Sequence, residues 1–168
     1  MGGSFNPKTG KASLNFINTL DSKEATLDLK VDWFSGQQAL IHKSIIERVG
    51  YFDDKNFPQY HADIDFSLRA NKNNCDIVVY AELKLLNDTE ATGMSHIKDK
   101  TIKQFFQSLF TLRSNTNILK DLKFYRRHTT SILAYRYFFR KYFVYIGSYI
   151  KWTVLGWFGI RRKKEGLF

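Results

Sequence analysis

The chain reads as an α/β unit followed by a mainly helical region, and three observations predict it. A helix-spaced run over residues 60–72 leads through a cluster of asparagines into the β-branched run Ile77-Val78-Val79, a turn-helix-strand unit of the α/β class. From Thr101 onward apolar residues recur at helical spacing, with Phe105, Phe106, Leu109, Phe110 and Leu112 on one side and Lys103, Gln104, Gln107 and Arg113 on the other. The charge changes sign between these parts: residues 1–100 carry 12 Lys and Arg against 14 Asp and Glu, and residues 101–168 carry 14 against two. We therefore expect an α/β unit over residues 1–98 and a basic, aromatic-rich helical tail over residues 99–168, with the boundary near Asp99.

The elements follow in order. Gly2-Gly3 and Pro7-Lys8-Thr9-Gly10 are turn signals and residues 14–20 alternate weakly, which predicts turns and one edge strand or loop within the first thirty residues. Ala39-Leu40-Ile41 reads as the end of a strand. A short helix follows, with Ser44 as its N-cap, Glu47 as the capping-box partner and Gly50 as its stop. The next helix holds Phe66, Leu68 and Ala70 at helical spacing, carries Asp63 and Asp65 in its first turn and ends within residues 71–74. Residues 76–81 form the strand.

With 43% hydrophobic residues and two prolines in 168, the composition allows a sizeable core and excludes a disordered or collagen-like chain. Cys75 is the only cysteine, which excludes a disulfide-stapled scaffold, argues against a thiolate zinc site and fits a reducing compartment. Residues 1–10 lack the basic start and apolar run of a signal peptide. His61, His96 and His128 lack the spacing of metal ligands and read as ordinary side chains. No nucleophile elbow, P-loop or Rossmann glycine pattern occurs.

Asp63 and Asp65 are the carboxylates that invite chemistry. Side chains two residues apart on a helix point about 200° away from each other, so the pair is a poor two-ligand clamp for a divalent ion. Two readings of the first of them stay open. It complements the positive end of the helix, or it points into a cleft as a general base that takes a proton from an attacking hydroxyl.

Several strings, in order, resemble the second half of the catalytic domain of family 2 glycosyltransferases, the bacterial rhamnosyltransferase-like enzymes. Gly2-Gly3 with Asn6-Pro7-Lys8-Thr9-Gly10-Lys11 resembles a glycine pair and a D-P-x-T-G-K turn. Val31-Asp32-Trp33-Phe34-Ser35-Gly36 resembles V-D-W-x-x-G, and Glu47-Arg48-Val49-Gly50-Tyr51-Phe52-Asp53 resembles E-x-V-G-x-F-D. Phe57-Pro58-Gln59-Tyr60-His61-Ala62-Asp63-Ile64-Asp65, continuing to Arg69-Ala70, resembles F-x-x-Y-x-E/A-D-x-D with its R-A. Asn87-Asp88-Thr89 with Thr92-Gly93 resembles a variant end of the sheet.

The resemblance implies a partial GT-A fold and an inverting transfer of a sugar from a nucleotide-diphosphate donor to an acceptor hydroxyl. Asp63 is then the general base. Asp32, Trp33, Gly36 and Gln37 form the acceptor and donor-sugar loop, with Trp33 either stacking on a sugar or lying in the core and Gly36 either admitting a ligand or making a turn. Asp65 is structural, with Arg69 its partner one helical turn on. Ala62 stands where the family more often has glutamate, and the Asn87-Asp88-Thr89 stretch stands where it has a histidine, so His96 is not assigned a role. The nucleotide-binding half, with the D-x-D motif that holds Mg²⁺ or Mn²⁺ on the diphosphate, is not among these residues. The chain is thus expected to be the acceptor-side part of a larger catalytic unit, or a non-catalytic half that works with a separate donor-binding chain.

The tail interleaves eleven aromatic residues between Tyr135 and Phe158 with Arg136, Arg140, Lys141 and Lys151, and then runs into Arg161-Arg162-Lys163-Lys164. Cations and aromatics together suit a membrane interface. Lys151 in the middle of residues 142–160, together with glycines and tyrosines, favours lying in the interface over spanning it. A basic nucleic-acid-binding module is the competing reading, disfavoured because the aromatics sit among Ile, Val and Leu. Arg113-Ser114-Asn115-Thr116-Asn117 and Tyr125-Arg126-Arg127-His128 resemble the tails of the same enzymes, which implies a lipid-linked or glycan acceptor at the cytoplasmic face of the membrane, held peripherally.

Overall fold

The chain starts with a hairpin because its turn residues close on themselves. Asn6 accepts the Lys8 and Thr9 amides on its side-chain oxygen, at 2.9 and 3.2 Å, and the Gly10 amide on its carbonyl, at 2.8 Å. Gly10 has φ +69°, which glycine adopts at no steric cost. The turn joins β1 (Gly2–Asn6) to β2 (Lys11–Leu14) in antiparallel register, with Gly3 opposite Leu14 and Asn6 opposite Lys11. The computed structural model describes residues 2–15, 29–36, 38–80, 101–112 and 114–159.

Among these residues the architecture is mixed α and β, with five helices and two small antiparallel sheets. β3 (Leu29–Lys30) pairs with β5 (Val78–Val79), and β4 (Trp33–Phe34) pairs with β1 to give the order β2-β1-β4. Gly2-Gly3 is therefore strand and not turn. A Cβ on Gly3 would lie 2.7 Å from the Trp33 ring and collide with the Ser13 carbonyl, so the indole occupies the room that glycine leaves. Where turns and one edge strand or loop were expected, residues 2–14 form a two-stranded hairpin, and residues 16–20 of the alternating run lie outside the described residues.

α1 (Lys43–Val49) has its N-cap two residues before the expected one. The His42 ring nitrogen accepts the Ser44 amide at 3.3 Å, which moves the N-cap from Ser44 to His42, and Glu47 faces Lys43 at 3.5 Å instead of closing a capping box. Gly50 stops the helix with φ +84°. Ala39-Leu40-Ile41 joins no sheet, and Leu40 is 99% exposed.

α2 (Ala62–Lys72) starts two residues inside the expected run, because Tyr60 and His61 have positive φ, and ends as expected where Asn73 and Asn74 turn the chain. Phe66, Leu68 and Ala70 are buried on it. α3 (Ile102–Phe110) opens on a capping box between Thr101 and Gln104. Phe105 and Leu109 turn inward from α3, whereas Phe106, Phe110 and Leu112 are exposed, so the apolar side foreseen as one face is split. α4 (Ile118–His128) is capped by Asn117, whose amide also donates to the Phe110 and Thr111 carbonyls and so sews the end of α3 to the start of α4. α5 (Ala134–Trp157) closes the described chain.

Two apolar clusters hold these parts together. Phe105 and Leu109 of α3 meet Phe138 and Tyr142 of α5, with the Phe105 ring stacked 3.9 Å from that of Tyr149. The second cluster crosses the expected boundary: Phe124 of α4 packs on Phe57 and on Leu68 of α2. Phe124 has ring contacts with Phe5, Phe57, His61, Tyr125 and His128 at centroid separations of 4.8–6.5 Å. Burying such a ring is worth about 1.5–3 kcal/mol, and each favourable ring pair about 0.5–1.5 more. The Thr130 amide donates to the Pro7 carbonyl at 3.0 Å, which ties the α4–α5 link to the hairpin turn. Residues 81–100, where the boundary was expected, lie outside the described residues.

Candidate active site

An open cleft of about 770 Å³ lies between residues 34–36 and 38–41, Phe52 and the start of α2. Phe34, Ala39, Ile41, Phe52 and Pro58 give it apolar walls, and Ser35, Gln38, Gln59, Tyr60 and Asp63 bring polar atoms to it. Asp63 is the cleft's only carboxylate among the lining residues.

Three contacts at regular spacing hold α2 against the segment that forms one wall. The Gly36 amide donates to Asp63 Oδ2 at 3.0 Å, the Phe34 amide to Ser67 Oγ at 3.2 Å, and Asn71 Nδ2 to the Asp32 carbonyl at 2.6 Å. Positions 63, 67 and 71 share one helix face, and positions 36, 34 and 32 alternate to one side of an extended chain. Ser67, fully buried, also donates to the Asp63 carbonyl at 2.6 Å and so braces the first turn. The other Asp63 oxygen accepts the Ile64 amide at 2.9 Å. Asp63 thus enters the cleft fixed at both oxygens and still half-exposed.

Asp65 points the other way and is fully buried. It accepts hydrogen bonds from Arg69 Nε at 2.9 Å, Arg127 Nη1 at 2.9 Å and His128 Nε2 at 2.8 Å. Burial by itself raises its pKa, but these three donors outweigh that and hold the carboxyl below the ordinary value. Burial likewise lowers the pKa of His128, against the pull of Asp65, which leaves a neutral ring that donates through Nε2 and, among the described residues, has no partner at its buried Nδ1. Arg127 reaches on to Asp53 at 2.7 Å. Burial raises Asp53, and hydrogen bonds from Asn56 and then Arg127 bring it down to about 2. The Tyr125-Arg126-Arg127-His128 string is therefore what clamps the buried member of the carboxylate pair.

Behind the cleft, α4 contributes a second buried polar pair. Asp121 accepts from His61 at 2.7 Å, from Tyr142 at 2.8 Å and from Lys141; burial raises its pKa, but His61 and Lys141 outweigh that and hold it below the usual carboxylate range. Lys120 donates to the carbonyls of Gln59, Leu112 and Ser114 at 2.7, 3.2 and 2.8 Å, and its pKa is lowered first by burial.

Of the residues foreseen as the site, the structure brings Asp63 and Gly36 together. Asp32 and Trp33 lie behind the wall. Asp32 accepts the Phe5 amide at 2.8 Å, while Trp33 is buried with its indole donating to the Ser4 carbonyl at 3.3 Å, so of its two readings the core one describes it. At Gly36 a Cβ would only touch Asp63, at 3.5 Å. Gln37, Arg113, residues 87–89, Thr92, Gly93 and His96 lie outside the described residues. Sequence reasoning missed Ser35, Gln38 and Gln59 as lining residues. It also missed Lys120 and Asp121, whose place in the interior no amphipathic pattern signals.

Asp63 offers a lone carboxylate, and Asp65 is saturated by cationic and neutral donors, so the residues of the cleft do not fit a resident Mg²⁺ or Mn²⁺. Among the described residues no group of three or more His, Cys, Asp or Glu side chains is placed to share a metal. No described helix is long and apolar enough to cross a membrane. No protein-family model, no curated protein and no solved structure matches the chain.

Proposed function

We propose that the chain is the acceptor-side part of an inverting family 2 glycosyltransferase of GT-A fold. The observation that carries the reading is the splitting of the Asp63–Asp65 pair: one carboxylate faces an open cleft at a helix N-terminus, while its neighbour is consumed as structure. In the reaction, an acceptor hydroxyl gives its proton to a free lone pair of Asp63 while its oxygen attacks the anomeric carbon of the donor sugar. The bond from that carbon to the diphosphate breaks on the opposite face, and the diphosphate leaves with the bonding electrons. Gly36 and Ile64, through their amides, orient the carboxylate for this transfer. The nucleotide-binding elements, and the Mg²⁺ or Mn²⁺ that goes with them, belong to residues outside those described or to a separate donor-binding chain.

The acceptor is a glycan or a lipid-linked glycan presented at the cytoplasmic face of the membrane. On α5 the residues Phe139, Phe143, Ile146, Ile150, Val154 and Trp157 recur at three- and four-residue steps and are all exposed, with Arg136, Arg140 and Lys151 at the flank. An apolar ridge with a cationic flank supports lipid contact over a polar groove for nucleic acid.

The test is Asp63→Asn in the assembled enzyme, with donor-binding half and nucleotide-sugar supplied. General-base catalysis is worth about 10²–10⁴ in rate. We expect a loss of that size with folding unchanged. Retained turnover would show that Asp63 is not the base, and no turnover by the parent assembly would favour the non-catalytic partner.

A further inference from the structure

We propose that Tyr60 is the platform on which the acceptor sugar lies, and that Lys120 and Asp121 of α4 are its positioning residues. This rests on the glycosyltransferase reading and assigns to Tyr60 the aromatic contact that Trp33, buried in the core, does not make. Tyr60 and His61 have φ +59° and +63°, two consecutive side-chain-bearing residues in the left-handed region that such residues rarely adopt. Backbone of this kind persists where its surroundings hold it, and it gathers at functional sites.

Here the surroundings are two adjacent residues of one helix. Asp121 takes the His61 ring at 2.7 Å, and that ring stacks on Phe124 with centroids 4.8 Å apart. Lys120, itself buried, donates to the Gln59 carbonyl and sits 4.8 Å from the centre of the Tyr60 ring. Its remaining protons go to the Leu112 and Ser114 carbonyls, so the ammonium has none left for a substrate.

Tyr60 is 40% exposed and lines the cleft with Asp63. Phe34 and Phe52, the other aromatic wall residues, pack against the buried Phe66. Tyr60 is instead backed from inside by a cation. A flat ring with a phenol at its edge meets both needs of a sugar, a face for its C–H groups and a partner for a hydroxyl. The left-handed turn puts that ring on the wall of the cleft that Asp63 also lines, where an acceptor hydroxyl would be deprotonated.

The experiment is saturation-transfer NMR on the full 168-residue chain, with the methyl glycosides of glucose, galactose and rhamnose as probes and glycerol as control. The parent should transfer saturation to the ring protons of at least one glycoside and not to glycerol. Tyr60→Phe should bind within about threefold of the parent. Tyr60→Gly should bind at least tenfold more weakly while melting at or above the parent temperature, because glycine relieves the backbone strain. Lys120→Met should also weaken binding, and the double variant should be no weaker than Tyr60→Gly alone, since a positioning residue acts only through what it positions. Glycoside binding needs no donor and no turnover, so failure of the base assignment, read in the transfer assay, and failure of the platform, read here, are distinguishable. Equal binding by Tyr60→Gly, additive losses in the double variant, or no glycoside signal from the parent would each overturn the proposal.

Discussion

Replacing Asp65 with Asn keeps the shape of a fully buried side chain and removes one charge. The carboxylate accepts Arg127 and His128 on Oδ1 and Arg69 on Oδ2. An amide has one oxygen to offer, so in either orientation its NH₂ group meets a donor. At least one hydrogen bond to a charged group, worth about 1.5–3 kcal/mol, becomes a donor–donor contact. Arg127 is about a third exposed and keeps Asp53, so its share of the lost charge is discounted to at most about 1 kcal/mol. The sum is about 3 kcal/mol, a large part of the 5–15 kcal/mol typical of a domain. At a slope of about 2 kcal/mol per molar urea, the unfolding midpoint should fall by about 1.5 M. The control is Asp63→Asn, which removes the same charge two residues away and should cost less than about 1 kcal/mol. Urea titration followed by circular dichroism measures both. An Asp65→Asn midpoint within about 0.3 M of the parent, or equal losses at the two positions, would refute the division of labour between them.

Other expectations follow from the same contacts. Gly3→Ala forces a methyl onto the Ser13 carbonyl and the Trp33 ring and should destabilise the hairpin measurably, seen as a lower melting temperature. Acid should destabilise the protein in two stages. His128 is held below its unfolded value of about 6.5, so the unfolded chain binds more protons and stability falls as pH drops below that value. Asp53, Asp65 and Asp121 are held below about 3.9, so what they contribute is present above that pH and is lost on further acidification, for Asp53 as pH falls towards about 2. Urea midpoints between pH 3 and 8 test this, and a midpoint that rises from pH 7 to 5 would contradict it. On α5, Phe143 is 81% and Trp157 80% exposed, so Phe143→Ser with Trp157→Ser should leave melting unchanged. The same pair should weaken co-sedimentation with phosphatidylglycerol vesicles at least tenfold, from the loss of more than about 1.4 kcal/mol of apolar burial.

What could be read from the sequence was what depends on near neighbours. The existence and end of α2, the opposed directions of Asp63 and Asp65, and the Arg69–Asp65 pair all follow from the 100° step of a helix. The features that escaped depend on distant partners. Gly2-Gly3 looks like a turn until Trp33, thirty residues away, is set against it. The α1 cap moved because the His42 ring reaches the Ser44 amide. Lys120, Asp121 and His128 count as polar in any amphipathic pattern of α4, yet each is buried on carbonyls or side chains from elsewhere in the chain. The Thr101-x-x-Gln104 string of the α3 capping box and the spacing of Asp63, Ser67 and Asn71 on one face of α2 were signals left unread.

That polar face works as a vernier. Four residues of helix advance about 6.0 Å, and two residues of extended chain about 6.6 Å, so the contacts at 71, 67 and 63 drift by about 1.2 Å across their span. The inner two, at Asn71 and Ser67, set the registration, and the one at Asp63 sits at the end of the scale with open space beyond it. Releasing an end division does not lose the reading. The Gly36 amide therefore aims the Asp63 carboxylate without also bearing the alignment of α2, a separation that the same carboxylate placed one turn further along the helix would not have.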